Sequence, residues 1–205
     1  TFNGLGFMGI GNSGYPIQAG EVLENFTIKS CYFENVNTVL CSFASTQFKG
    51  TLTITETLNN NSLQFLAWID GAKELVKLEY TNNKVYGEVA EHFAVKGMIS
   101  FRATDSSAEI VIENNEFDFA NYTLTSNPFY ALSGSIVVKN NKFTGLTEDK
   151  LFHEGTVEAR TVEGNEYSTS ESIKIADVVA GEDGVYEVTA VVVGVNAQSF
   201  LIKDE

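Results

Sequence analysis

A chain of 205 residues, 43% of them apolar, can bury a core of its own and is too apolar to be disordered throughout. Its 27 acidic residues outweigh 13 basic ones, and the net charge of −14 is spread along the length. That disfavours nucleic acid and anionic membrane surfaces, which both need a basic footprint. No apolar run is long enough to span a bilayer, so no membrane insertion is expected of this sequence.

The chain begins at Thr1 with no signal-peptide pattern and is therefore expected to be a mature or excised portion of a protein. Residues 1–20 are glycine-rich with interleaved hydrophobes. Gly4, Gly6 and Gly9 are not followed by a helix pattern or by Lys-Ser/Thr, so they read as turns and not as a phosphate loop. Cys31 and Cys41 lack metal-site spacing, leaving two buried thiols or one disulfide across a short loop. From residue 21 onward, short runs rich in Val, Ile, Thr and aromatics alternate with Gly, Asn and Asp. Strands are expected over 26–33, 51–55, 75–80, 98–102, 109–113, 135–139 and 157–162, and one short helical passage over 87–95.

One phrase recurs through these runs. Ile110-Val-Ile-Glu-Asn-Asn-Glu-Phe117 is repeated nearly residue for residue by Ile136-Val-Val-Lys-Asn-Asn-Lys-Phe143, and Leu78-Glu-Tyr-Thr-Asn-Asn-Lys-Val85 keeps its apolar positions and Asn pair. Phe26-Thr-Ile-Lys-Ser-Cys-Tyr-Phe33 has Ser30-Cys31 in place of the pair, and weaker copies end at Leu63 and Tyr167. The closing hydrophobes at 33, 63, 85, 117, 143 and 167 give steps of 30, 22, 32, 26 and 24, a period that signifies a solenoid. Within the phrase, Ile110 and Ile112 should face a core, with Val111 and Glu113 facing out. The pairs Asn82-Asn83, Asn114-Asn115 and Asn140-Asn141 should form structural corners, because Asn tolerates the left-handed region and its amide can bond to backbone. If coils stack at strand spacing, those amides fall into a ladder.

The pattern apolar-x-apolar-x-Asn-Asn-x-Phe resembles the repeat of right-handed parallel β-helices of the pectin-lyase-like type over about residues 22–168. More narrowly, it is similar to β-helical surface lipoproteins of gut Bacteroidetes. The resemblance implies an all-β, single-stranded right-handed parallel β-helix of about six coils over residues 1–168, secreted or at the cell surface. The spacing around Leu23, Leu75 and Asn83 also fits a leucine-rich-repeat solenoid, which stays open as the alternative. Residues 169–205 have a different texture. Gly184 to Gly194 alternates as a strand and Ser199 to Lys203 as a second, so a short C-terminal β-hairpin is expected. It resembles the opening of an OB-fold module, either truncated or serving as a cap.

Chemistry is sparse. The resemblance implies, for lyases and hydrolases of this fold, clustered aspartates with Ca²⁺ and a basic residue, or Asp-Asp with His and Arg-x-Lys, and none of these strings is present. His92 and His153 have no Ser or Cys partner at a recognisable spacing, so no catalytic residue and no metal ligand is assigned. An outward Trp68 with Asp70 and Tyr130 would suit glycan binding by stacking beside a carboxylate. The expected function is non-catalytic glycan binding or adhesion, with a polysaccharide or cell-surface glycan as partner. The alternative is a polysaccharide lyase or glycoside hydrolase acting on an acidic glycan at a groove of Asp105, Asp118 and Lys139. No cofactor is expected, Ca²⁺ bridging to an acidic glycan being the one case the composition leaves open.

Overall fold

A computed structural model describes residues 1–11, 16–36, 38–42, 47–61, 64–89, 97–124 and 126–169. All of these belong to one compact unit, Thr1–Glu171. The stretch of the expected C-terminal hairpin, His92 and most of the expected helical passage lie outside the described residues. The one part of that passage which is described and regular is a strand, Glu88–Val89.

The chain winds through three long parallel sheets, and Glu88–Val89 pairs with Asn121–Tyr122 in a fourth of two strands. Sheet 1 stacks Phe2–Asn3, Val22–Lys29, Gln47–Thr55, Glu74–Thr81, Glu109–Glu113, Ser135–Lys139 and Arg160–Glu163 in sequence order. Sheet 2 stacks Gly6–Gly11, Tyr32–Val36, Leu58–Asn60, Lys84–Tyr86, Glu116–Asp118, Lys142–Thr144 and Glu166–Ser168. Sheet 3 has five strands, Ile17–Ala19, Thr38–Ser42, Gln64–Ile69, Ile99–Phe101 and Phe129–Ala131. Every strand pairs in parallel with the equivalent strand of the next coil, which makes the chain a parallel β-solenoid. The leucine-rich-repeat alternative fails on this: the sole helical element among the described residues is one 3₁₀ turn, Glu148–Lys150, where that fold would place a helical segment in every repeat.

Register explains the core. Ile28, Ile54, Tyr80, Ile112, Val138 and Val162 form one inward column of sheet 1, and Phe26, Leu52, Leu78, Ile110 and Ile136 form the next. Alternation puts the residues between them outside. Val111 is one of these and lies outside the core cluster, yet it is only 7% exposed; its neighbours in the outer column are Glu79 and Val137.

The corner between sheets 1 and 2 follows one rule in seven successive coils. Its first residue is left-handed: Gly4, Ser30, Glu56, Asn82, Asn114, Asn140 and Gly164, with φ between 52° and 67° in each. From the third corner onward its second residue, Thr57, Asn83, Asn115, Asn141 or Asn165, turns inward and builds the ladder, whereas Leu5 at the first corner is 42% exposed. The Oδ1 of Asn115 accepts from the backbone N–H and the Nδ2 of Asn83 at 2.8 and 3.1 Å, while its own Nδ2 donates to Tyr80 O and to Asn141 Oδ1, both at 2.9 Å. Asn83, Asn141 and Asn165 repeat the pattern, so buried corner groups are satisfied from coil to coil. The corner role expected of the three Asn pairs is thus split in two: one Asn supplies the backbone conformation and the other supplies the hydrogen bonds.

The third coil corrects the sequence reading. Its corner is Glu56-Thr57 and its closing position is Asn59, which pairs with Phe33 and Val85; the expected corner at Asn60-Asn61 is not the equivalent one, and the expected closing residue Leu63 lies outside the described residues. Steps of 30 and 22 become 26 and 26. Asn61 does turn the chain, with φ 52°, but at a second corner, from sheet 2 toward sheet 3, in a column with Asn35 and Gly87. Glu56 tolerates its left-handed backbone with its carboxylate held by Lys29 Nζ at 3.1 Å and Ser30 Oγ at 3.0 Å; Lys29 first and Ser30 second lower its pKa.

Past the corner, Phe7 stacks on Phe33 at 5.1 Å, and Phe117, Phe143 and Tyr167 stack at 5.1 and 5.4 Å. Asn59 interrupts this column. It is 1% exposed, its Nδ2 donates to Thr57 Oγ1 at 2.9 Å, and its Oδ1 has no hydrogen-bond partner. Asn59→Val removes an unpaired buried acceptor while Thr57 keeps its bond to Asn83 Oδ1. The urea midpoint of this variant is therefore expected to rise, by an amount equivalent to about 1–2 kcal/mol.

Cys31 occupies the ladder position of its coil as a free, buried thiol, its Sγ 3.2 Å from Lys29 O, so the disulfide alternative does not hold.

Candidate functional site

The residues singled out for glycan stacking sit on or beside sheet 3. Trp68 belongs to Gln64–Ile69, at the point where pairing with Ile99–Phe101 shifts register; its side chain lies outside the described residues. Asp70 follows that strand and meets Arg102 Nε at 3.5 Å, with both side chains partly exposed. Tyr130 pairs with Ser100 between the inward Phe129 and Ala131, and therefore faces outward by alternation. It is nonetheless only 3% exposed, and its ring meets that of His153 edge-on at 5.2 Å. A ring so covered has no free face for a sugar, and among the described side chains only Asp70 remains reachable. His153 itself donates from Nδ1–H to Glu154 O at 2.7 Å.

Two of the three residues named for the enzymatic alternative are engaged locally. Asp118 caps a turn by accepting from the Ala120 N–H at 3.0 Å, Lys139 pairs with Glu113 at 3.4 Å, and Asp105 lies in an exposed turn. Asp118 and Lys139 thus have separate local partners. Among the described residues no group of three or more His, Cys, Asp or Glu side chains comes together to hold a metal.

The outer face of sheet 1 is a different kind of surface. Parallel register aligns Thr27, Thr53 and Glu79 in one column, Thr51, Lys77 and Glu109 in a second, and Lys29, Thr55, Thr81, Glu113 and Lys139 in a third. The five threonines are half-buried and project from three adjacent coils. Thr81 Oγ1 donates to Thr55 Oγ1 at 3.1 Å, Thr53 Oγ1 to Glu79 Oε2 at 3.2 Å, and Lys77 Nζ reaches Glu79 at 3.0 Å. The result is a flat strip of hydroxyls with one cation and one carboxylate at its centre. Its signal in the sequence is Thr51-Leu-Thr-Ile-Thr55, a polar residue at every second position of a strand; it becomes legible as a surface once the coil register brings Thr27 and Thr81 alongside.

Buried phenols lie apart from this strip. Burial, first, and then the Asp118 charge push the Tyr122 pKa far above its usual value, and burial does the same for Tyr80. Both hydroxyls stay protonated and act as structural groups.

Fold and surface together define a parallel β-solenoid repeat protein. No protein-family model, no curated protein and no solved structure matches the chain.

Proposed function

We propose that the chain is a non-catalytic solenoid, of the pectin-lyase-like kind, secreted or displayed at a cell surface, and that it binds a polysaccharide along the outer face of sheet 1. The observation that carries this reading is the register of Thr27, Thr51, Thr53, Thr55 and Thr81 across three neighbouring coils. A hydroxyl lattice repeating at the strand spacing of about 4.8 Å offers donors and acceptors at regular intervals along an equally regular chain of sugar hydroxyls. Lys77 and Glu79 add one charged donor and one charged acceptor at its centre. The net charge of −14 makes a neutral or amino-sugar polymer the fitting class, and a polyuronate a poor one.

A glycan array followed by calorimetry tests this. The protein should retain neutral or amino-sugar polymers, and the triple variant Thr27→Val, Thr53→Val, Thr55→Val should lose at least about tenfold in affinity, each hydroxyl bond being worth about 0.5–1.5 kcal/mol. Valine preserves strand propensity and shape, so far-ultraviolet circular dichroism should not change. An array blank on all neutral and amino-sugar polymers, or full retention by the triple variant, would sink the reading.

A further inference from the structure

The outer face of sheet 2 changes character along the solenoid. Phe33, Asn59 and Val85 are buried, so alternation turns Tyr32, Glu34, Leu58, Asn60, Lys84 and Tyr86 outward on the second to fourth coils. From the fourth coil onward the column nearest the corner reads Lys84, Glu116, Lys142, Glu166. It is closed by ion pairs, Lys84 with Glu116 at 2.7 Å and Lys142 with Glu166 at 3.8 Å. On the second and third coils the same column holds Tyr32 and Leu58, without charge, and the column beside it reads Glu34, Asn60, Tyr86. Leu58 is 41% exposed, and Tyr32 and Tyr86 are half-buried, so part of each ring is open. Asn60 is buried beneath them, and Tyr32 lies in hydrogen-bonding reach of the side chains of Asn60 and Glu34. Glu34 is partly exposed and has no cationic partner among the described residues.

We infer that this face is a second ligand site and that it takes an oligosaccharide carrying protonated amino groups, its rings against Tyr32 and Tyr86 and an ammonium at Glu34. Tyrosine presents an apolar ring with a polar tip, which suits a sugar: the C–H face packs on the ring and the hydroxyls meet the phenols. Asn60 is too buried to meet a ligand and instead holds Tyr32 in place. Tyr32 and Tyr86 lie two coils apart, about 9.6 Å along the axis, so different sugars of one extended chain meet the two rings. Charge decides the class. Glu34 attracts an ammonium, an open tyrosine ring adds a cation–π attraction, and the net charge of −14 repels a uronate. A protein partner fits less well, because one leucine and two half-covered rings around a polar centre do not make a continuous dry patch. The site lies on sheet 2 and does not depend on the threonine strip of sheet 1.

The probe is a soluble glucosamine oligomer, titrated calorimetrically at mildly acidic pH into the intact 205-residue protein carrying Thr27→Val, Thr53→Val and Thr55→Val. In this background loss at sheet 1 has already been taken, so what remains reads sheet 2 alone. The triple variant should still bind the oligomer saturably, and amide hydrogen exchange should slow over 32–34, 58–60 and 84–86. Adding Glu34→Gln should weaken this remaining binding about fivefold, the scale of one exposed charge pair, and should flatten its dependence on salt. Adding Tyr86→Leu should weaken it about three- to tenfold by removing a stacking face. The N-acetylated oligomer, which has no ammonium, should bind the triple variant more weakly than the glucosamine oligomer and should be indifferent to Glu34→Gln. Three results would overturn the proposal: no saturable binding of the glucosamine oligomer by the triple variant up to millimolar ligand; equal affinity with and without Glu34→Gln, a change of charge at nearly constant shape; or protection confined to 51–55 on sheet 1.

Discussion

Asn115→Ala is expected to lower the stability of the solenoid by roughly 3–5 kcal/mol, far more than the loss of one polar side chain at a surface corner. The reason is the number of groups that depend on it. Asn115 is 2% exposed, and its amide serves the Asn83 N–H, the Asn83 Nδ2, the Tyr80 carbonyl and Asn141 Oδ1. Truncation leaves several of these buried without a partner, at about 1–3 kcal/mol for each group that water cannot reach. Asn165, at the last described coil and partly exposed, serves the Asn141 groups and the Val138 carbonyl, and water reaches it, so Asn165→Ala should cost distinctly less. Asn115→Asp separates geometry from chemistry. Its carboxylate keeps the acceptor for Asn83 but turns a second oxygen on the Tyr80 carbonyl and on Asn141 Oδ1, so the folded state favours the protonated acid and its pKa is raised above the unfolded value. Stability of that variant is then fully present below the unfolded pKa, near 3.9, and is lost as pH rises through the folded pKa. Urea unfolding from pH 3 to pH 7, referenced to the unsubstituted chain, reads both effects. A loss under about 1 kcal/mol for Asn115→Ala would mean that water, and not the ladder, satisfies these corners.

The ladder also explains which parts of the fold are legible in the sequence. Glu109–Glu113 and Ser135–Lys139 fall on the expected residues because two independent signals agree there: inward alternation, and an Asn pair whose members have different duties. The third coil has neither Asn at its first corner. Glu56 adopts the left-handed backbone with help from Lys29 and Ser30, and Thr57 takes the ladder position with its hydroxyl, so no residue type announces the corner. The Asn59-Asn60-Asn61 run announces one five residues later, and it is a genuine corner between different sheets. Sheet 3 is least legible, because the segments leading into it vary in length and no fixed spacing ties its strands to the Asn positions. Surface chemistry fails for another reason. Alternation tells which side of a strand a residue occupies, as it does for Tyr130, but not what covers that side; 3% exposure comes from neighbours remote in sequence. The threonine strip was likewise a property of three coils and of no single stretch.

Phe117→Ala should be the most damaging single substitution in the described core, at about 3–5 kcal/mol for the truncation. Phe117 is fully buried, lies parallel to Phe143 with centroids 5.1 Å apart, and touches Phe119 and Phe129 at 5.6 and 5.7 Å and Tyr80 at 6.1 Å. It is therefore the crossing point between the column that runs along the solenoid and the packing across it from sheet 2 to sheet 3. Neighbours in adjacent coils are held by their own strand pairing and cannot move inward to fill the space, so the cavity persists. Phe117→Leu keeps most of the volume and should lose only about 1–1.5 kcal/mol. Because each coil contacts only its neighbours, the damage should also be local. Hydrogen exchange in Phe117→Ala is expected to accelerate across 110–144 while 26–55 retain their protection, since the Phe7–Phe33 stack lies beyond the Asn59 interruption and shares no ring contact with Phe117. Uniform acceleration across both blocks would show instead that Asn59 and Val85 transmit packing as well as an aromatic pair, and that the solenoid unfolds as one cooperative unit.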